Sequence, residues 1–139
     1  MVSLGPEARA LLESSALVHM VTLNADGSPQ VTIVWAGLDG DDVVSAHLFA
    51  NRKVRNVQRE PRVSLSIEGT GIDARGLKEY LVVHGHARIE EGGAAELLQR
   101  LAHVYLGPDV RFPPMDDPPA GYVMRTTPLR VGGVGPWAG

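Results

Sequence analysis

The shortness of the connections between strand-like runs constrains this chain more than any other feature. ALVHMVTL (16–23) is apolar and β-branched and reads as a strand. NADGSP follows, with Asp26-Gly27 as a hairpin signal. QVTIVWAGL comes next and alternates, Val31, Ile33 and Trp35 on one face and Thr32 and Val34 on the other. After a DGDD turn at 39–42, VVSAHLFA is a third strand, completing a three-stranded antiparallel meander. Parallel neighbours need crossovers of a dozen or more residues, usually helical. Almost no connection here is long enough, so the sheet is expected to be antiparallel.

The remainder fits that plan. SLGPEARALLESS reads as a short leading helix, with Ser3 as its cap and Pro6 in its first turn. NRKVRNVQRE fits one or two helical turns closed by Pro61, with Val54 and Val57 facing inward. RVSLSIEG is a fourth strand with Val63, Leu65 and Ile67 inward, and TGIDARGLKE a loop. YLVVHGHARIEE is a long fifth strand with Gly85 as a bulge or close-approach point. GAAELLQRLAHVYLG has the clearest helical period and stops at Gly107. The proline-rich stretch 108–119 is a stiff loop, and YVMRTTPLRVGGV supplies two short closing strands. Six or seven strands with two or three short helices, mostly antiparallel, point to a mainly β fold, a small closed β-barrel with a few helices attached, forming one domain over residues 1–139.

Several function classes drop out. There is no cysteine, which excludes disulfides, thiolate catalysis and Cys-based zinc sites. No signal peptide and no apolar run of membrane-spanning length is visible, so a cytoplasmic protein without a membrane partner is expected. The formal charge of −3, with aromatic residues at 5%, argues against nucleic acid as a partner. GTGIDA (69–74) matches the dinucleotide fingerprint and follows a strand, but RGLKE is too short to be the helix that fingerprint must open. His84 and His86 share one strand face, yet no third ligand is singled out, so no metal is expected. No G-x-S-x-G, P-loop or paired-carboxylate motif is present.

One cluster stands above its solvated-face reading. Arg52, Lys53, Arg55, Arg59 and Arg62 account for five of the thirteen Lys and Arg residues in a chain that is acidic overall. They lie at a strand-to-helix transition, where free backbone N–H groups and the helix dipole favour an anion. Cations in a helix's first turn are unfavourable unless they bind something negative. A phosphate or phosphodiester matches the guanidinium forks.

That arrangement, an Arg-Lys pair heading a helix with Arg-Asn close behind, resembles the flavin-phosphate motif of the pyridoxamine 5′-phosphate oxidase-like split β-barrels. The hairpin DGSPQVTIVWA, the strand EYLVVHGHARI, the helix AELLQRLAHVYLG and the ending GYVMRTTPLRVGGVGPW resemble the branch that uses the deazaflavin coenzyme F-420 in place of FMN. The resemblance implies a six-stranded antiparallel split barrel that forms a homodimer with the cofactor between subunits, and a reductase passing a hydride to small conjugated (enone- or alkene-type) substrates. It implies that Arg52 and Lys53 hold the cofactor phosphate, with Asn51, Arg55 and Asn56 alongside. Gln30, Val31, Thr32, Ile33 and Val34 would lie along the ring through backbone groups, and His47 would border it. Lys78, Tyr80 and Arg130 would approach from the partner subunit, Trp35 and Trp137 would line the substrate face, and Arg75, Lys78 and Arg88 would meet the oligoglutamate tail. The proline-rich loop would help wall the cleft. No residue is singled out as the proton donor. An FMN-binding oxidoreductase, or a non-catalytic flavin or haem carrier, shares these expectations of fold.

Overall fold

A computed structural model describes residues 1–138. The element order is α1 (Pro6–Leu12), β1 (Val18–Leu23), β2 (Pro29–Val34), β3 (Gly37–Asp39), β4 (Asp42–His47), α2 (Arg52–Arg59), β5 (Arg62–Ile72), β6 (Lys78–Glu91), α3 (Ala94–Tyr105) and β7 (Tyr122–Val134). All strand pairs are antiparallel, and the sheet order is β2-β1-β5-β6-β7-β4-β3.

That order closes the barrel. β2 and β3 occupy opposite edges, yet only Trp35 and Ala36 separate them. Three peptide steps reach at most about 11 Å, whereas a flat seven-stranded sheet would be roughly 29 Å across. The sheet must therefore curl until its edges meet. The seam is bridged by covalent chain and not by a hydrogen-bonded ladder between the two edges. This also corrects the expected meander. The run 30–38 is two strands that change partner at Trp35, and the sheet has seven strands where the resemblance implies six.

The core is the inward set of the long strands. Val63, Leu65 and Ile67 of β5 are buried as their alternation predicts, and Ile67 faces Leu81 across the β5–β6 ladder with both wholly buried. Burying each such side chain contributes about 2–3 kcal/mol. Leu4, Ala8 and Leu12 bring α1 onto the same cluster. Gly5, not Ser3, caps α1.

Gly85 behaves as its sequence position suggests. A Cβ there would lie 2.5 Å from the Thr127 carbonyl oxygen, and the β6–β7 register slips between His84 and Gly85. Its partner is Pro128, which has no N–H to give to a ladder. The slip accommodates that proline, so residues 122–134 form one continuous strand and not two short ones. Gly69–Ile72 extends β5, and the turn at 73–77 is a hairpin tied by Asp73 Oδ1 accepting from Arg75 N at 2.9 Å and Leu77 N at 3.0 Å.

Candidate functional site

Helix α2 organises the site. Asn51 caps it, its side chain accepting from Val54 N at 3.1 Å. Val54 and Val57 bury its inner face. Its first turn holds no acid, whereas α1 and α3 carry Glu7 and Glu96 in theirs. Two cavities flank the helix, and the basic residues divide between them.

The first is an open groove of about 580 Å³ lined by Asn24, Asp26, Arg52, Arg55, Asn56 and Arg59. The three arginines share a stripe because positions i, i+3 and i+7 fall on one helix face. Arg55 Nη1 donates to the Ala50 carbonyl at 2.6 Å, and Arg59 donates to the Leu23 carbonyl. These bonds aim the guanidinium groups without neutralising them. The groove's one acid, Asp26, is engaged by Ser28, whose hydrogen bonds hold its carboxyl below the ordinary range. Asn56 is buried and ties the helix to the β1–β2 hairpin. Its Nδ2 donates to Thr22 Oγ1 at 3.1 Å, Asn24 Oδ1 at 3.0 Å and Gln30 Oε1 at 3.3 Å. Asn56 and Gln30 thus hold each other in place.

The second is a smaller pocket of about 260 Å³ lined by Ile33, Val34, Trp35, Ala46, His47, Lys53, Leu98 and Phe112. His47 ends β4 and is buried, with Nε2 3.0 Å from Ser45 Oγ. Burial, reinforced by the Lys53 charge, pushes its pKa down to about 4, so the imidazole is neutral at pH 7. Burial lowers the Lys53 pKa too. At Gly121, with φ of +66°, a Cβ would stand 2.6 Å from the His47 carbonyl oxygen. Only glycine lets the segment entering β7 lie so close to the end of β4. Trp35 stacks on Tyr105 with ring centroids 5.4 Å apart and leans on Phe112 at 5.1 Å. The Tyr105 hydroxyl donates to the Ala16 carbonyl at 2.8 Å and accepts from Ala36 N at 3.1 Å, fixing that platform at the seam.

The expected residues are therefore brought together in part. Arg52, Arg55 and Asn56 meet in the groove, and Ile33, Val34, Trp35, His47 and Lys53 meet in the pocket. Lys53 is separated from the arginines with which it was grouped. Val31 is exposed, while Thr32 Oγ1 is, among the described residues, the one buried side-chain oxygen without a partner. β2 is an edge strand, so alternate backbone groups on its outer side are free of any ladder. Lys78, Tyr80 and Arg130 lie on β6 and β7 and line neither cavity. Arg75 and Arg88 are exposed and pair with Asp73 at 2.8 Å and Asp42 at 3.0 Å. Trp137 lies away from the pocket, its Nε1 donating to the Tyr80 carbonyl. His84 Nδ1 is 2.8 Å from Ser64 Oγ, and no group of three metal-ligating side chains occurs among the described residues.

Sequence reasoning missed Asn24 and Asp26 as groove residues, and Leu98 and Phe112 as pocket walls. Arg59, expected in the basic cluster, joins the groove at i, i+7 from Arg52. Phe112 comes from the proline-rich loop, whose place in the wall was expected but whose contributing residue was not.

The family model for pyridoxamine 5′-phosphate oxidase matches residues 4–134. The chain belongs to that family. Among solved structures it is similar to an F420 reductase, at 27% identity and a TM-score of 0.69, over 89% of this chain and 94% of that one. A conserved hypothetical protein from Mycobacterium tuberculosis gives a TM-score of 0.71 at 22% identity, covering 96% of this chain and 85% of that one. A heme binding protein from Mycobacterium smegmatis gives 0.65 at 22%, covering 92% of this chain and 52% of that one. No curated protein matches the chain. No helix is long and apolar enough to cross a membrane.

Proposed function

We propose that this family member is an oxidoreductase that uses coenzyme F-420 to reduce small, flat, conjugated substrates. The observation that carries the reading is the arginine groove, a stripe of three guanidinium groups along a helix whose first turn holds no acid. Those donors fit a phosphodiester. Arg52, Arg55 and Arg59 would hold the phosphate, and β2 would run along the ring. The likeness to an F420 reductase favours the deazaflavin over FMN.

When bound in reduced form, F-420 would supply a hydride to one carbon of the acceptor's double bond, and solvent would supply the proton taken by the other. The chain's own work is binding and orientation. Trp35 and Phe112 present flat surfaces. His47 is neutral and has no acidic proton to give at pH 7, so it acts as a hydrogen-bonding wall. Val31 and Ile33 stand 61% and 55% exposed on the outer face of β2. We assign that face to a homodimer contact, through which Lys78, Tyr80 and Arg130 of a second copy would reach the ring.

Titrating the full chain separately with F-420 and FMN, following fluorescence, tests the reading. F-420 is expected to bind, the loaded protein to sediment as a dimer, and the reduced cofactor to be oxidised on addition of an enone. Tight FMN binding with none for F-420 would overturn the deazaflavin assignment.

A further inference from the structure

The segment between α3 and β7 has little of its own to hold it in place. Residues 108–119 carry five prolines, each without a backbone N–H to give to a ladder. Yet Phe112 of this segment has a definite place in the wall of the smaller cavity, its ring 5.1 Å from that of Trp35. Among the described residues, one side chain from outside the segment hydrogen-bonds to it, and that is Gln99 of α3. Gln99 Nε2 donates to the Val110 carbonyl at 2.7 Å, and Gln99 Oε1 accepts from Phe112 N at 3.0 Å. A neighbouring strand would make the same two bonds to the backbone on either side of Arg111. Arg111 itself is exposed and pairs within the segment, with Asp116 at 3.0 Å. The second hydrogen of Gln99 Nε2 goes to His103 Nε2 at 3.0 Å, so the carboxamide is fully engaged. Turning it over would set oxygen against the Val110 carbonyl and N–H against the Phe112 N–H.

We propose that Gln99 is a positioning residue, whose carboxamide latches the 108–119 segment onto α3 and thereby sets where Phe112 stands in the cavity wall. The task suits glutamine in particular. An ionised glutamate could not donate to Val110, a lysine could not accept from Phe112, and an asparagine is one methylene short. Each neutral hydrogen bond shifts the ratio of latched to released segment by about two- to tenfold, which counts where no ladder competes. Leu98, next to Gln99, lines the same cavity, so the latch and part of the wall share one turn of α3. Trp35 is in turn stacked on Tyr105, whose hydroxyl is bonded to the Ala16 carbonyl, so Phe112 closes against a fixed partner. The latch shapes the cavity whatever occupies it. Only its effect on reduction rests on the deazaflavin reading.

The first test uses the full chain without cofactor and follows amide hydrogen exchange by NMR at Phe112 and at Val83, a buried residue of β6. Gln99→Met keeps the side chain's length without its donor or acceptor. It is expected to speed exchange at Phe112 about ten- to a hundredfold and to weaken the near-ultraviolet circular dichroism of the Trp35 cluster, with Val83 unchanged. Unaltered exchange at Phe112, or equal acceleration at Val83, would overturn the proposal. The second test loads the protein with F-420 and reads kcat/KM for an enone. Gln99→Met and Phe112→Ala are each expected to lower it about tenfold. The double variant is expected to lose no more than the worse single one, because Gln99 acts through Phe112. Losses that multiply would overturn the positioning role. Failure of the unmodified protein to take up F-420 or to reduce the enone, with the exchange result at Phe112 intact, would end the deazaflavin reading and leave the latch standing.

Discussion

The two sides of α2 differ more than their shared run of positive charge implies. On one side, three arginines line an open groove, each guanidinium free to meet solvent and ions. On the other, one lysine is half-buried among aliphatic and aromatic side chains beside a neutral histidine. Successive helical residues are rotated by about 100°, so Arg52 and Lys53 head into different surroundings despite being neighbours in sequence. The lesson is that a charge cluster is defined by its helix face and not by its density along the chain. The arginine side suits a multiply charged group whose binding weakens with salt, and the lysine side suits one charge on an apolar body.

Acid is expected to expose the largest difference. His47 has a folded pKa of about 4 against 6.5 for the ordinary group. Between those values the unfolded chain binds a proton that the folded chain refuses. The stability held above pH 6.5 is therefore lost as pH falls toward 4, by roughly 3 kcal/mol. Urea unfolding at pH 7 and pH 4 measures this, and in His47→Gln that share of the loss should vanish. If the loss is the same in both proteins, the lysine side is wetter than its geometry indicates.

Next in size is the tie between the sides. Asn56→Ala leaves Thr22, Asn24 and Gln30 without their shared donor, beneath a helix that both cavities depend on. A cost of about 2–3 kcal/mol is expected in urea unfolding, with weakened binding on both sides.

The smallest effect isolates the arginine side. Arg52→Ala should weaken binding of F-420 about five- to thirtyfold, because an exposed guanidinium contributes little beyond one charge-assisted bond. The salt dependence should flatten with it. Unchanged affinity would mean that the arginine stripe is only a solvated face.

Much of this is legible in the sequence. The alternation of Val63, Leu65 and Ile67, the glycine at 85 and the acid-free head of α2 each carry a local physical signature. The break between β2 and β3 has none. Residues 30–38 read as one extended run, and the exchange of partners at Trp35 is dictated by closure of the sheet, which is a property of the whole chain. Pro128 misled for a related reason. It interrupts a ladder in isolation, but the bulge at Gly85, forty-three residues earlier, leaves it a place. The direction of Lys53 could have been read from the helical period, since it falls outside the stripe of Arg52, Arg55 and Arg59.

The two-residue strap at Trp35 and Ala36 has a mechanical consequence. Every other join between neighbouring strands is zipped by backbone bonds, so small distortions there are resisted cooperatively. At the strap, resistance comes from bond geometry, from the Tyr105 anchor and from the packing of Trp35 and Ala36. A guest wedged against Trp35 can spread the edges slightly without rupturing a ladder. The molecule's softest joint is thus also the wall of its smaller cavity, and lengthening that strap by even one glycine would loosen the grip on a guest before it loosened the barrel.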